Sequence, residues 1–358
     1  MKTLIPLSLA FALASGLALA EQPSTSDNDQ TAELIDSVIS AKAIKRNLPR
    51  YPVSYARKGR EGWVQLSFVI GKDGKPFDVL VMDSEGGKRF ESSAVKAVES
   101  WSYEPAMKNG EAIEQCRTHV QLDFAISNMT VGHKVKKLIQ RGFDQIQSGD
   151  KKSLEETVEK LLDEKAHGVR ERTYINFFLA RYYNFTGDSL NELKYLNRAV
   201  PSSRQPAKDT ILTEQALLHS LQSLFNIQYQ QHMFKDALAT YEKIQNIKGD
   251  LAAQLTELMT PYVEDINTIV SSDKAFAVDA QVSDRNMWTH SLARSSFSIA
   301  EIEGELETLD IRCDNKRNTY TVNDQSNWKI PKSWGSCQVI VHGKEGSRFN
   351  LIELPDNT

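Results

Sequence analysis

The apolar residues of this chain change their spacing twice, and that change limits the folds open to it. Val64, Leu66, Phe68 and Ile70 alternate with Gln65, Ser67 and Val69, the period of a half-buried strand. Asp73-Gly74 supplies a hairpin signal, and Phe77, Val79 and Val81 resume the alternation as far as Gly86-Gly87. Phe90, Ala94, Ala97, Val98 and Trp101 then share one helical stripe, and Pro105 is expected to end that helix by pushing its predecessor out of helical geometry. A last strand is expected over 117–126. Strand, strand, helix, strand describes one small sheet with a helix packed on it, spanning 45–127.

From 133 to 272 the spacing becomes helical. Leu138, Gly142 and Ile146, then Leu154, Val158, Leu161 and Leu162, mark two helices around Ser148-Gly149-Asp150. Further helical runs cover 170–186, 188–200, 209–232, 234–247 and 250–271, with breaks at Gly187-Asp188, Pro201 to Pro206, His232-Met233 and Gly249-Asp250. Paired antiparallel helices joined by short turns suggest a solenoid. From 274 to 358 the pattern returns to short strands, at 276–278, 297–299, 309–311, 320–322 and 339–341. The fold class read from this order is multidomain α+β: a small ββαβ domain, an α-helical solenoid and a small C-terminal β-rich domain.

Residues 1–20 have the form of a secretory signal peptide. Lys2 precedes an uncharged run from Leu4 to Leu19, and Ala18-Leu19-Ala20 fits a cleavage site after Ala20. The run is shorter than the roughly 20 residues a spanning helix needs. Residues 21–44 read as a polar linker with a short amphipathic helix carrying Leu34, Ile35, Val38 and Ile39. Export makes disulfides possible. Of three cysteines, Cys313 and Cys337 lie in one segment and are the obvious pair, worth roughly 3–4 kcal/mol on the chain-entropy account. Cys116 shares even parity with Val120, Leu122, Phe124 and Ile126, which assigns it to a buried face as a quiet thiol.

Charge and motifs exclude several functions. Lys and Arg number 43 against 47 Asp and Glu, so the chain lacks the basic excess of a general nucleic-acid binder. The seven histidines form no His-x-x-x-His pair, and neither a Gly-x-Ser-x-Gly elbow nor a phosphate-cradling loop occurs. Cys116 and His119 are an odd number apart, which in a strand puts them on opposite faces. No enzyme activity, metal or cofactor is expected.

The first domain resembles the C-terminal domain of TonB-family energy transducers over about 80 residues. The resemblance is carried by Tyr51-Pro52, Arg57-Lys58-Gly59, Glu61-Gly62-Trp63-Val64, Asp73-Gly74, Asp83-Ser84-Glu85-Gly86, Ala94, Ala97-Val98, Trp101-x-Tyr103-x-Pro105-Ala106, Gly110 and Phe124. It implies a three-stranded sheet with an unpaired margin, onto which an extended peptide adds as another strand. The implied peptide is the N-terminal box of an outer-membrane transporter, and the implied contact residues are Tyr51, Pro52, Val120, Gln121, Leu122 and Asp123. The helical region is similar to tetratricopeptide repeats through Leu179-Ala180-x-x-Tyr183, Gly187, Leu196 and Ala199, through Phe234-x-x-Ala237-x-x-x-Tyr241-Glu242-Lys243-Ile244, and loosely from Phe143 to Leu162.

The function expected from these resemblances is a periplasmic TonB-like interaction component of an outer-membrane transport system. Its sheet would bind an extended peptide and its helices a partner protein. Two alternatives belong to the same reading of the residues. One is an anchored energy transducer that keeps residues 1–20 and engages inner-membrane motor proteins; the other is an envelope scaffold unrelated to transport. Residues 1–20 contain no histidine, only 24 residues (21–44) precede the sheet domain, and no long Pro-rich spacer is present, all departures from a transducer. Exposed sheet margins are also compatible with a homodimer formed by strand exchange.

Overall fold

A computed structural model describes residues 38–126, 131–164, 168–201, 210–322 and 326–356. The expected signal peptide, its cleavage site and most of the linker lie outside the described residues. The first part comprises β1 (Val38–Ile39), β2 (Lys42–Lys45), α1 (Val53–Ala56), β3 (Gly62–Ile70), β4 (Pro76–Glu85), α2 (Lys88–Glu99), β5 (Ser102–Glu104), β6 (Ala106–Lys108), β7 (Glu111–Ile113) and β8 (Gln115–Phe124). The strand order of its main sheet is β4-β3-β8, with both pairings antiparallel. Val64, Leu66, Phe68 and Ile70 meet Phe90, Ala94 and Val98 of α2 in a buried cluster completed by Trp101, Tyr103, Leu122 and Phe124. This is the alternation and the stripe expected from the sequence. Gly62 permits the close pairing, since a Cβ there would stand 2.1 Å from the Glu85 carbonyl oxygen.

Four local expectations need correction. Val38 and Ile39 form a strand paired with Lys108 and Met107, not a helical turn, because β6 offers backbone partners that outweigh local periodicity. The α2 helix ends at Glu99, well before Pro105; Trp101 lies beyond the helix yet packs into the same core, its indole N–H donating to the Asn47 carbonyl at 2.8 Å. Pro105 separates two short strands instead. In β4, Asp78 adopts φ +50° beside a register shift, so Phe77 leaves the face that Val79 and Val81 keep and stacks under the Arg317 guanidinium at 5.0 Å. Finally, β3 is buried on both faces, with Ser67 and Val69 at 0% exposure, because later parts of the chain cover the side expected to face solvent.

The helices are α3 (His133–Ser148), α4 (Lys151–Asp163), α5 (Val169–Thr186), α6 (Ser189–Ala199), α7 (Glu214–Gln230), α8 (Phe234–Gln245) and α9 (Asp250–Ser271). Successive helices pack in pairs, α3 on α4, α5 on α6 and α7 on α8. A repeated Gly-Asp step makes two of these turns. Gly149 and Gly187 end their helices at φ 72° and 78°, a conformation that favours glycine, and Asp150 and Asp188 then cap the next helix by accepting from the Ser153 and Asn191 amides.

The last part comprises β9 (Phe276–Gln281), β10 (Met287–Ser291), β11 (Ser296–Glu303), β12 (Leu306–Cys313), β13 (Arg317–Thr321), β14 (Asn327–Lys329), β15 (Cys337–Gly343) and β16 (Arg348–Leu354). They form two four-stranded sheets, ordered β10-β15-β12-β13 and β14-β11-β16-β9. Cys313 and Cys337 sit directly opposite each other on β12 and β15 and are joined by a disulfide. Phe297, Leu309, Ile311, Val339, Val341, Phe349 and Leu351 from both sheets share one apolar cluster with Leu217, Leu221, Phe225, Phe234, Ile244, Met259 and Ile266 of the helices. The core therefore runs across residue 273 without interruption.

Candidate functional site

The sequence directs attention to the outer margin of β8 and to Tyr51-Pro52. Among the described residues, β8 has one strand neighbour, β3. Along β8, Leu122 is buried and Val120 half-buried against the α2 core, whereas Gln121 and Asp123 face the other way. The Gln121 carbonyl oxygen accepts from Gln65 at 3.1 Å, and its amide donates to Asp123 at 2.9 Å. These side chains stand above and below the sheet, so what the margin presents to a partner is backbone. That suits strand addition, in which main-chain pairing supplies the affinity.

Tyr51 and Pro52 stand near the far end of β8. The Tyr51 ring meets Phe90 and Phe124 edge-on, at 5.5 Å and 5.8 Å, and its hydroxyl donates to the Arg60 carbonyl. Burial, reinforced by the Glu61 charge, pushes the Tyr51 phenol up to about 12. Pro52 precedes the first turn of α1. Both residues line a groove of about 610 Å³ with Arg50, Arg89 and Lys96. The i, i+7 spacing of Arg89 and Lys96 on α2 is a sequence signal for that basic wall that the strand pattern alone does not reveal.

The beginning of β8 is occupied by the chain itself. The Cys116 amide donates to the Asp314 carbonyl at 3.2 Å, and Arg117 pairs with the Asp314 carboxylate at 3.1 Å. Cys116 is a buried free thiol, pushed up to about 12 by burial and by Glu114, and so it is protonated at neutral pH. His119, three residues on, is exposed. The stretch with no such contact to the β12–β13 turn is Val120–Phe124.

The opposite margin, β4, is clamped by arginines from later elements. Asp78 accepts from Arg312 at 2.6 Å and from Arg317 at 2.5 Å. Asp83 accepts from Nε and Nη2 of Arg198, each at 2.8 Å, and Arg285 bridges Ser84 at 2.7 Å and Glu91 at 3.2 Å. Glu85 accepts from Trp63 at 3.0 Å and from Asn176 of α5 at 3.2 Å. The buried Glu61 accepts from the Ile126 amide at 2.7 Å and from the Val169 amide at 3.0 Å, which seats a carboxylate on the N-terminus of α5 and ties down the end of the β8 segment. None of these long-range partners is visible at a single sequence position. Glu61 and Asp83 look like ordinary surface acids until the helices are in place.

Among the described residues, no cluster of three or more His, Cys, Asp or Glu side chains is arranged to hold a metal ion, and no helix is long and apolar enough to cross a membrane. Residues 47–126 match the family described as Gram-negative bacterial TonB protein C-terminal. Over 79 residues the chain is 37% identical to Protein tonB2 of Pseudomonas aeruginosa, covering 22% of this chain and 29% of that protein. Over 80 residues it is 32% identical to Protein TonB of Escherichia coli K12, covering 22% of this chain and 33% of that protein. The chain thus spans a third or less of the length of these relatives. Among solved structures, the solution NMR structure of the Pseudomonas aeruginosa TonB CTD is 27% identical and covers 27% of this chain and 95% of that one, with a TM-score of 0.24. The matched residues contain β3, β4, α2 and β8; helices α3 to α9 and the two four-stranded sheets lie beyond them.

Proposed function

We propose that this chain is a periplasmic, TonB-like interaction component of an outer-membrane transport system, which binds an extended peptide by strand addition along β8. The observation that carries this reading is the match of residues 47–126 to the TonB C-terminal family, together with a last strand that has one strand neighbour among the described residues. Val120–Phe124 is the docking stretch. Five residues extend about 17 Å, an ordinary strand length and enough for a short pairing. The peptide is the N-terminal box of an outer-membrane transporter. Tyr51 holds the end of the strand through Phe124 and Pro52 lines the groove beside it, while the helix pairs act as a tetratricopeptide-like array for a second partner.

The envelope-scaffold reading has its own support. Asp314 occupies the start of β8, and the arginines on β4 fix the sheet against the rest of the chain, as a purely structural module would be fixed. A photo-crosslinking residue at Gln121 or Asp123 in the exported full chain distinguishes the two. Transport predicts a crosslink to an outer-membrane transporter from these positions and none from Glu156 on α4. Absence of any transporter adduct from β8 contradicts the transport reading. N-terminal sequencing of the same material tests the transducer alternative: a start at Glu21 removes the anchor through which inner-membrane motor proteins would act.

A further inference from the structure

The face formed by α7 and α9 combines a groove, an exposed apolar stripe and a row of acidic residues. A groove of about 680 Å³ lies between these helices and the middle of α5, lined by Phe177, Ala216, Leu218, His219, Leu255 and Leu258 among others. Along α9, Leu251, Leu258 and Tyr262 are 47%, 61% and 48% exposed. They fall at i, i+7 and i+11, one stripe about 16 Å long at about 1.5 Å per residue. Single exposed leucines need no explanation, but a stripe bordering a groove marks a contact surface.

Charge says what would lie there. Asp250, Glu257 and Glu264 occupy the positions immediately before Leu251, Leu258 and Asp265, so an acidic row with heptad spacing flanks the apolar stripe. Glu214 of α7 reaches the Gly249 end of the groove, and Asp265 accepts from the Tyr229 hydroxyl at 2.5 Å. Neither α7 nor α9 contains a lysine or arginine, in a chain with 43 of them. Burial, reinforced by the Arg181 guanidinium of α5, holds the His219 imidazole below its usual range and therefore uncharged at neutral pH.

We propose that this groove docks a basic amphipathic helix of a partner protein, with its apolar ridge seated along Leu251, Leu258 and Tyr262 and its lysines or arginines facing the acidic row. The proposal is independent of strand addition at β8. It is tested by fluorescence anisotropy on the full chain, using a labelled synthetic Leu/Lys helix of about 15 residues, roughly four turns. A shuffled peptide of identical composition is the control. The amphipathic peptide is expected to bind at least roughly tenfold more tightly than the shuffled one, and Leu258→Asp and the pair Glu257→Lys, Glu264→Lys are each expected to weaken it by about tenfold or more. Both variants change exposed residues, and far-UV circular dichroism confirms their fold. Equal binding of the two peptides, indifference to the substitutions, or no binding overturns the proposal. So does a homodimer in sedimentation that Leu258→Asp disperses, which would give the groove to a second copy of this chain.

Discussion

The small sheet and the C-terminal sheets are attached to the helices in opposite ways. The β3–β4–β8 sheet has its own apolar cluster, from Val64 to Phe124, and meets later elements through carboxylates and arginines: Asp78 with Arg312 and Arg317, Asp83 with Arg198, Glu91 with Arg285, and Arg117 with Asp314. The C-terminal sheets instead share one continuous apolar cluster with α7, α8 and α9. Most of the ion pairs are partly exposed, and each contributes about 1 kcal/mol or less, whereas fully burying one phenylalanine or leucine contributes about 1.5–3 kcal/mol. The first attachment is therefore selective and separable, the second cohesive. A module with its own core and a seam rich in ion pairs gives up less apolar burial on separation than one that shares a continuous core, which is consistent with the matched residues ending at 126.

That contrast can be broken most forcefully in the two cores. Phe234 is buried and packs edge-on to Phe276 at 4.9 Å, bridging helix and sheet. Phe234→Ala should cost about 3–5 kcal/mol, and urea unfolding should show the helical signal and the tryptophan signal of the C-terminal sheets falling together. Phe90→Ala should cost about as much, but with loss of protection confined to the small sheet in hydrogen exchange. If Phe90→Ala lowers every transition equally, the sheet is not a separate module.

The seam gives smaller effects. Arg312 is 1% exposed and pairs with Asp78 and, at 3.6 Å, with Asp310. Arg312→Ala leaves two acids without it and should cost about 2 kcal/mol in urea unfolding, less than a fully buried pair because Asp78 keeps Arg317. Asp83→Asn removes the bidentate Arg198 contact and should cost about 1 kcal/mol, a loss that shrinks at high salt. Tyr51 offers a pH test of the end of β8. Its phenol is raised to about 12, above the ordinary value of about 10, so the stability it contributes is fully present below pH about 10 and is lost as pH rises through about 12. An ultraviolet titration of the native chain minus that of Tyr51→Phe should therefore show the missing phenol ionising near 12; ionisation near 10 would place Tyr51 in open solvent.

Local periodicity carried much of this architecture. The β3 alternation, the α2 stripe, the Gly-Asp turns and the helix over Asp250–Ser271 can be read directly from residue spacing. Elements whose inward positions hold polar groups were hidden. In β16, Glu353 is buried among Phe349 and Leu351 because His290 at 2.8 Å and the Arg294 amide at 2.6 Å satisfy it, partners that no spacing rule supplies. In β10, His290 hides the strand for the same reason. The β6–β7 hairpin did leave a trace, Asn109-Gly110, both at positive φ. At the candidate site, the strand and the inward direction of Val120 and Leu122 were legible, as was the pairing of Cys313 with Cys337. The contact of Asp314 with the start of β8 was not, because it joins residues nearly two hundred positions apart.

Strand addition depends most on the state of β8 before any partner arrives. Site-resolved amide exchange on the full chain, alone and with a synthetic transporter N-terminal box peptide, reads that state directly. Cys116 is expected to be protected in both conditions, whereas the outward amides of Val120–Phe124 exchange faster than those of β3 until the peptide slows them. Val120–Phe124 amides already as slow as β3 in the free chain, and unchanged by the peptide, would contradict strand addition.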